Sequence, residues 1–87
     1  MTDLIAFEIY RTEEISVSGR QLVARFLRRK DHEAYELLLS DEITGEVWKA
    51  GYSAETARDF AKQNSEALEQ HVYEILKGDV AASIRHD

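Results

Sequence analysis

The sequence predicts an α+β fold: an antiparallel β-meander of about four strands with one long C-terminal α-helix packed on one face. The prediction depends on a turn signal at Ser18 and Gly19, a β-hairpin over residues 35–52, and an amphipathic helical pattern from residue 54 to residue 77. A chain of 87 residues can bury one modest core. We therefore expect a single domain over residues 1–78 and a flexible C-terminal tail over residues 79–87.

The hairpin is predicted from its loop. A four-residue loop from Glu42 to Gly45, built on a type I turn, places Gly45 at a position of positive φ, where glycine has no Cβ to strain. The register that follows puts three pairs on one face of the sheet: Leu39 with Trp48, Leu37 with Ala50, and Tyr35 with Tyr52. A shift by one residue would bury Lys49 instead, so burial favours this register.

Residues 4–10 predict a strand, because Ile5, Phe7 and Ile9 alternate onto one face. Ile15 and Val17 would end the strand that precedes the turn at Ser18 and Gly19.

Residues 20–29 fit two structures. As a strand, this segment turns at residues 30–33 and pairs Phe26 with Leu37 and Ala24 with Leu39. As a helix, it would begin at a capping box formed by Ser18 and Gln21. We favour the strand because its register agrees with the hairpin.

The C-terminal half predicts a helix that begins at Ser53, a good N-cap residue. Its apolar positions recur at three- and four-residue spacing along one stripe: Ala57, Phe60, Ala61, Leu68, Val72, Ile75 and Leu76. Gly78 is expected to end the helix, because glycine tolerates the left-handed conformation that follows many helices.

Composition limits the function classes. The chain contains no cysteine, and its N-terminal residues include acidic side chains without a continuous apolar run. These features predict a cytoplasmic protein with no signal peptide, membrane span or thiol chemistry. We identify no catalytic, cofactor-binding or metal-ligating set of residues, since the three histidines lack convergent partners. A non-catalytic protein is therefore expected.

Two surfaces are left for a partner. The second face of the predicted sheet carries Val23, Leu27, Leu38 and Val47, and adjacent apolar groups on an uncovered face often mark an interaction site. A helix of residues 54–77 would be about 36 Å long, whereas a seven-residue strand spans only about 23 Å. Either the C-terminal tail folds back under the overhanging end, or a second chain covers it along a candidate seam formed by Asn64, His71, Val72 and Ile75. We therefore favour a homodimeric interaction or regulatory module.

Two alternatives stay open. The basic cluster of Arg25, Arg28, Arg29 and Lys30 could contact phosphates in a nucleic-acid-binding protein, although the net charge of −6 opposes this at a distance. A small acidic inhibitor of the kind phages encode could instead occupy a basic site on its target. Its contacts would be Glu55, Asp59, Glu66 and Glu69.

Overall fold

The structure, a computed structural model, describes residues 6–84. The elements follow the order β1 (Phe7–Val17), β2 (Arg20–Arg29), β3 (Ala34–Ser40), β4 (Val47–Ser53), α1 (Ala54–Gln63) and α2 (Leu68–Ile84). The strands form one antiparallel sheet in the order β1-β2-β3-β4. Helix α2 packs against one face of this sheet, called the inner face below, and the opposite face is called the outer face. The predicted α+β meander with a long C-terminal helix is confirmed.

Both predicted registers are confirmed. In the β3–β4 hairpin Leu39 lies opposite Trp48, and Tyr35 lies opposite Tyr52. Residues 20–29 form a strand, with Phe26 opposite Leu37 as the hairpin register requires. Gly45 has a φ of +84°, as expected at the end of its loop.

The turn between β1 and β2 is as tight as the sequence predicts. Ser18 and Gly19 both have positive φ, 51° and 83°. Positive φ at both central residues is characteristic of a type I′ turn, whose twist matches that of the flanking strands.

A β-bulge at Tyr10 interrupts β1. Ile9 lies opposite Leu27 and Arg11 lies opposite Phe26, so Tyr10 is the extra residue. The bulge reverses the side-chain alternation along the strand. Phe7 and Ile9 therefore lie on the outer face, whereas Ile15 lies on the inner face opposite Leu22. Of the residues predicted to begin this strand, Leu4 and Ile5 lie outside the described residues.

The core lies between the inner face and α2. Helix α2 contributes Tyr73, Leu76 and Val80 to it. The strands contribute Val17, Leu22, Ala24, Phe26, Leu37 and Leu39. Phe26 and Tyr73 meet edge to face at its centre, with ring centroids 5.2 Å apart. The strands supply most of this core, which explains why sheet registers were predictable from burial.

The prediction of one uninterrupted helix from residue 54 to residue 77 is wrong. Ser53 does cap α1, because its hydroxyl accepts a bond from the Thr56 amide at 3.1 Å. Asn64 then takes an extended conformation, and its side-chain amide donates to the Phe60 carbonyl at 2.9 Å. This bond satisfies a carbonyl that the helix would otherwise leave open. The chain turns at residues 64–67 and restarts as α2.

The helix end predicted at Gly78 is also wrong. Helix α2 continues to Ile84, and Val80 within it is fully buried. The side chains of Leu76 and Val80, four residues apart, both reach the core, so packing holds the helix through the glycine. Asp79 to Ile84, assigned to the tail by the sequence analysis, are thus part of α2, and residues 85–87 lie outside the described residues.

Candidate interaction surface

The outer face of the sheet carries six apolar side chains. They are Phe7, Ile9, Val23, Leu27, Leu38 and Val47. None of the six belongs to the core or packs against it. Ile9 and Val47 remain 53% and 56% exposed, and the other four are half-buried. No helix within residues 6–84 contributes to a core on this side.

Four of these residues form a diagonal line across the sheet, called the outer stripe below: Ile9, Leu27, Leu38 and Val47. Ile9 lies directly opposite Leu27. Leu38 lies opposite Arg25 and Lys49, so Leu27 and Val47 are its diagonal neighbours, two positions along the adjacent strands. Diagonal neighbours are within reach of long side chains. The stripe therefore runs without interruption from β1 to β4.

The structure places Val23, Leu27, Leu38 and Val47 together on one face, where the sequence predicted them. Sequence reasoning missed Phe7 and Ile9, because the bulge that turns them outward was not anticipated. The available signal was the loss of alternation: Arg11 and Glu13 occupy the positions that should be apolar between Ile9 and Ile15.

Charges of both signs surround the outer stripe. Arg25 leans towards the β3–β4 loop, where it donates to the Ser40 hydroxyl at 2.9 Å and lies 3.4 Å from a Glu42 carboxylate oxygen. The remaining outer-face charges are Glu14, Arg29, Glu36 and Lys49. Glu14, Glu36 and Lys49 form no ion pair within residues 6–84.

The predicted basic cluster does not form one surface. Arg25 and Arg29 lie on the outer face, whereas Arg28 lies on the inner face opposite Tyr35. Each of the three arginines has a carboxylate partner. Arg28 pairs with Glu8 at 2.7 Å and Arg29 with Asp31 at 2.8 Å. Only Lys30, in the β2–β3 turn, is left without an ion pair among the described residues.

The predicted helix seam is dispersed in the same way. Asn64 ends α1, and His71 packs against the Phe60 ring, with centroids 5.1 Å apart. Val72 packs against the chain's own core, whereas Ile75 is 53% exposed. The uninterrupted helix whose overhang suggested this seam is absent, because the chain turns at residues 64–67 between α1 and α2.

The acidic residues proposed as inhibitor contacts are also divided. Glu69 accepts a hydrogen bond from the Tyr10 hydroxyl and lies 3.6 Å from Arg11. Glu66 lies 3.3 Å from His71. Glu55 and Asp59 stand exposed on α1. Two of the four carboxylates are thus engaged within the chain.

Among residues 6–84, no three histidine, aspartate or glutamate side chains are grouped closely enough to hold a metal ion. Neither described helix is long and apolar enough to cross a membrane. No protein-family model matches the chain, and the searches of curated proteins and of solved structures also give no match.

Proposed function

We propose that this protein is a non-catalytic, cytoplasmic interaction module that binds a second copy of itself through the outer face. One observation carries the proposal: the outer stripe lies on a face that no described helix covers. Two copies stacked face to face would bury both stripes, as the inner faces of β-sandwiches do.

Charge favours a second copy over a partner of one sign. The outer face leaves Lys49 and two carboxylates, Glu14 and Glu36, without ion pairs among the described residues. A symmetric dimer presents the same patch from both sides, so each ammonium can meet a carboxylate of the other chain. A strongly acidic or strongly basic partner would be repelled by one of these signs.

The size of the face favours a reversible dimer. Four strands about 4.8 Å apart and seven residues long cover about 20 Å by 23 Å, or about 450 Å² per chain in projection. A standard stable interface buries roughly 800 Å² of accessible surface on each partner, and small interfaces are typical of weak or transient complexes. We therefore expect a weak, reversible dimer rather than an obligate one.

Sedimentation velocity over a range of concentrations tests this proposal. The wild type should shift from monomer towards dimer as its concentration rises. Leu38→Asp places a carboxylate at the centre of the outer stripe and should keep the protein monomeric, because an unpaired charge is costly to bury. Val47→Asp, at the exposed edge of the stripe, should also weaken association. It is the variant to use if Leu38→Asp disturbs the sheet.

A matched control locates the interface. Ile75→Asp changes the 53% exposed position of the predicted helix seam on α2 and should dimerise like the wild type. A wild type that stays monomeric at millimolar concentration contradicts the proposal. So does loss of the dimer in Ile75→Asp with no loss in Leu38→Asp.

A further inference from the structure

A groove of about 550 Å³ opens on the inner face, between the sheet and α1. It lies at the end of the sheet where β2 turns into β3, and its wall continues to the start of α2. Pockets of about 300–1,000 Å³ with aromatic walls and a few polar groups are typical of small-molecule sites. The groove is separate from the outer stripe, so its argument does not depend on the proposed dimer.

Three tyrosines form one wall of this groove. Tyr35 and Tyr52 are directly opposed on β3 and β4, and their rings stack with centroids 5.3 Å apart and planes 16° apart. Tyr10 meets Tyr35 edge to face at 6.4 Å. Tyr10 reaches the groove because it is the extra residue of the β1 bulge. Bulges commonly redirect a side chain beside a functional site.

The opposite wall is made of small residues and one cation. Ala57 and Ala61 lie one turn apart on α1 and face the groove, so no bulky side chain fills it. Arg58, between them in sequence, also lines the groove. No carboxylate within residues 6–84 lies within ion-pair distance of Arg58.

The other charged side chains of the groove have partners within residues 6–84. The Arg28 guanidinium lies 5.7 Å from the Tyr10 ring centroid and is paired with Glu8 at 2.7 Å. Glu69 accepts a hydrogen bond from the Tyr10 hydroxyl and lies 3.6 Å from Arg11, a cation that it shares with Glu13 at 3.1 Å. Arg58 is therefore the groove arginine without an ion pair among the described residues, on the helix across from the tyrosine wall.

We infer that this groove binds a small planar aromatic acid. The ring of the ligand packs against the tyrosine wall, and its carboxylate accepts hydrogen bonds from the Arg58 guanidinium. Arginine presents two parallel donors to a carboxylate, which favours a planar anion over a neutral isostere. Binding needs no covalent chemistry and no change in the fold.

Three probes with one ring system and different charge test this inference: 2-naphthoate, 2-naphthamide and 2-naphthylmethylammonium. Binding is followed by the chemical shifts of the protein in a titration. A ligand with about 13 non-hydrogen atoms is expected to bind with a dissociation constant on the order of 0.1–1 mM. The naphthoate should bind about fivefold to tenfold more tightly than the amide, and the ammonium should bind most weakly.

Two variants of α1 each remove one positive charge, one inside the groove and one outside it. Arg58→Gln should abolish the preference for naphthoate over the amide. Lys62→Gln, one turn further along α1 and outside the groove, should keep that preference. Tyr52→Leu should weaken binding of all three probes, because it removes a ring from the tyrosine wall while the charge remains.

Several results would overturn the inference. They are equal affinity for the three probes, equal effects of the two α1 variants, and no binding of 2-naphthoate at a few times the expected dissociation constant. Shifts confined to Leu27, Leu38 and Val47 would place the probe on the outer stripe and would equally overturn it. Because the groove lies on the opposite face of the sheet from that stripe, the wild-type dimerisation result leaves this test unaffected.

Discussion

The Arg20 guanidinium lies against the Asp41 carboxylate, although the two residues are 21 positions apart in the chain. Nε of Arg20 lies 2.8 Å from Oδ2 of Asp41, and Nη2 of the same arginine reaches Glu46 at 2.7 Å. The other oxygen of Asp41 accepts bonds from the Ile43 and Thr44 amides at 2.9 and 3.1 Å. A single aspartate, 4% exposed, thus joins the start of β2 to the β3–β4 loop.

The Asp41 contacts predict how stability depends on acid. Hydrogen bonds from the Thr44 amide and from Arg20 lower the pKa of the Asp41 carboxyl below its ordinary value of 3.8. The folded state therefore holds this proton less tightly than the unfolded state. The resulting stability is present above pH 3.8 and is lost as the pH falls through the lower folded pKa.

Asp41→Asn should accordingly destabilise the protein at pH 7 and have less effect in acid. Urea unfolding of the variant and the wild type at pH 7 and below pH 3.8 measures how the lost free energy of unfolding depends on pH. Asp59→Asn, which removes an exposed carboxylate of α1, is the matched control and should change little at either pH. An equal loss of stability at pH 7 and in acid would show that the Asp41 charge is not responsible.

Gly45→Val should lower the free energy of unfolding by about 1–2 kcal/mol, because a β-branched residue is strained at positive φ. The φ of Gly45 is +84°, and no atom lies within 4 Å of the position a Cβ would take. The cost is therefore conformational strain rather than a clash. Gly45→Asn should lose less than Gly45→Val, since asparagine tolerates this region better. Equal stability of the valine variant and the wild type would contradict the loop geometry.

Gly78→Ala should have the opposite sign. Gly78 lies inside α2, and the site of its absent Cβ is also open. Alanine in a helix interior is more stable than glycine by about 0.5–1 kcal/mol, so this variant should gain about that amount in thermal or urea unfolding. A loss of stability would indicate that the helix ends at Gly78 in solution.

Three tyrosines, Tyr10, Tyr52 and Tyr73, should titrate late. Burial, followed by the Glu69 charge, raises the pKa of Tyr52 to about 12. Burial, followed by Glu13, raises the pKa of Tyr73 to about 12, and burial with the Glu69 hydrogen bond also raises the pKa of Tyr10. The tyrosine hydroxyls of the unfolded state ionise first, near pH 10. The stability that the raised pKa values give the folded state is therefore present below pH 10 and is lost as the pH rises towards 12.

Absorbance at the phenolate band, followed as the pH is raised, tests the late titration. Three of the four tyrosines should remain protonated past pH 10 while the fold persists. Tyr73→Phe should remove one late-titrating group from the curve. Ionisation of Tyr10, Tyr52 and Tyr73 near pH 10, with circular dichroism still that of the folded protein, would contradict the packing of these rings.

The sheet could be predicted because burial and turn geometry agree along it. Pairing Leu39 with Trp48 follows from the Gly45 loop, and that pairing selects a strand for residues 20–29. The bulge at Tyr10 does not follow from burial and turn geometry, and its signal in the sequence is only the loss of apolar alternation at Arg11 and Glu13. It also decides that Ile9 extends the outer stripe.

The helices show where periodicity alone is insufficient. The apolar spacing continues from Ala61 to Leu68 through the turn, and the segment between them contains no proline or glycine to mark a break. The break between α1 and α2 is evident only in the structure. There the Asn64 side chain donates to the Phe60 carbonyl, and α2 packs against the core. The helix end predicted at Gly78 was wrong for the converse reason. Glycine ends many helices, but the buried side chains of Leu76 and Val80, on either side of Gly78, stabilise α2 beyond this position.

Methyl spectra recorded over a dilution series test the proposed self-association most directly, because they report the interface without changing the protein. The methyl resonances of Ile9, Leu27, Leu38 and Val47 should shift together with one dissociation constant as the dimer separates. Those of the core residues Leu22, Leu39 and Val80 should stay in place. Shifts confined to Ile75 and its neighbours on α2, or spectra that do not change up to millimolar concentration, would contradict an interface on the outer stripe.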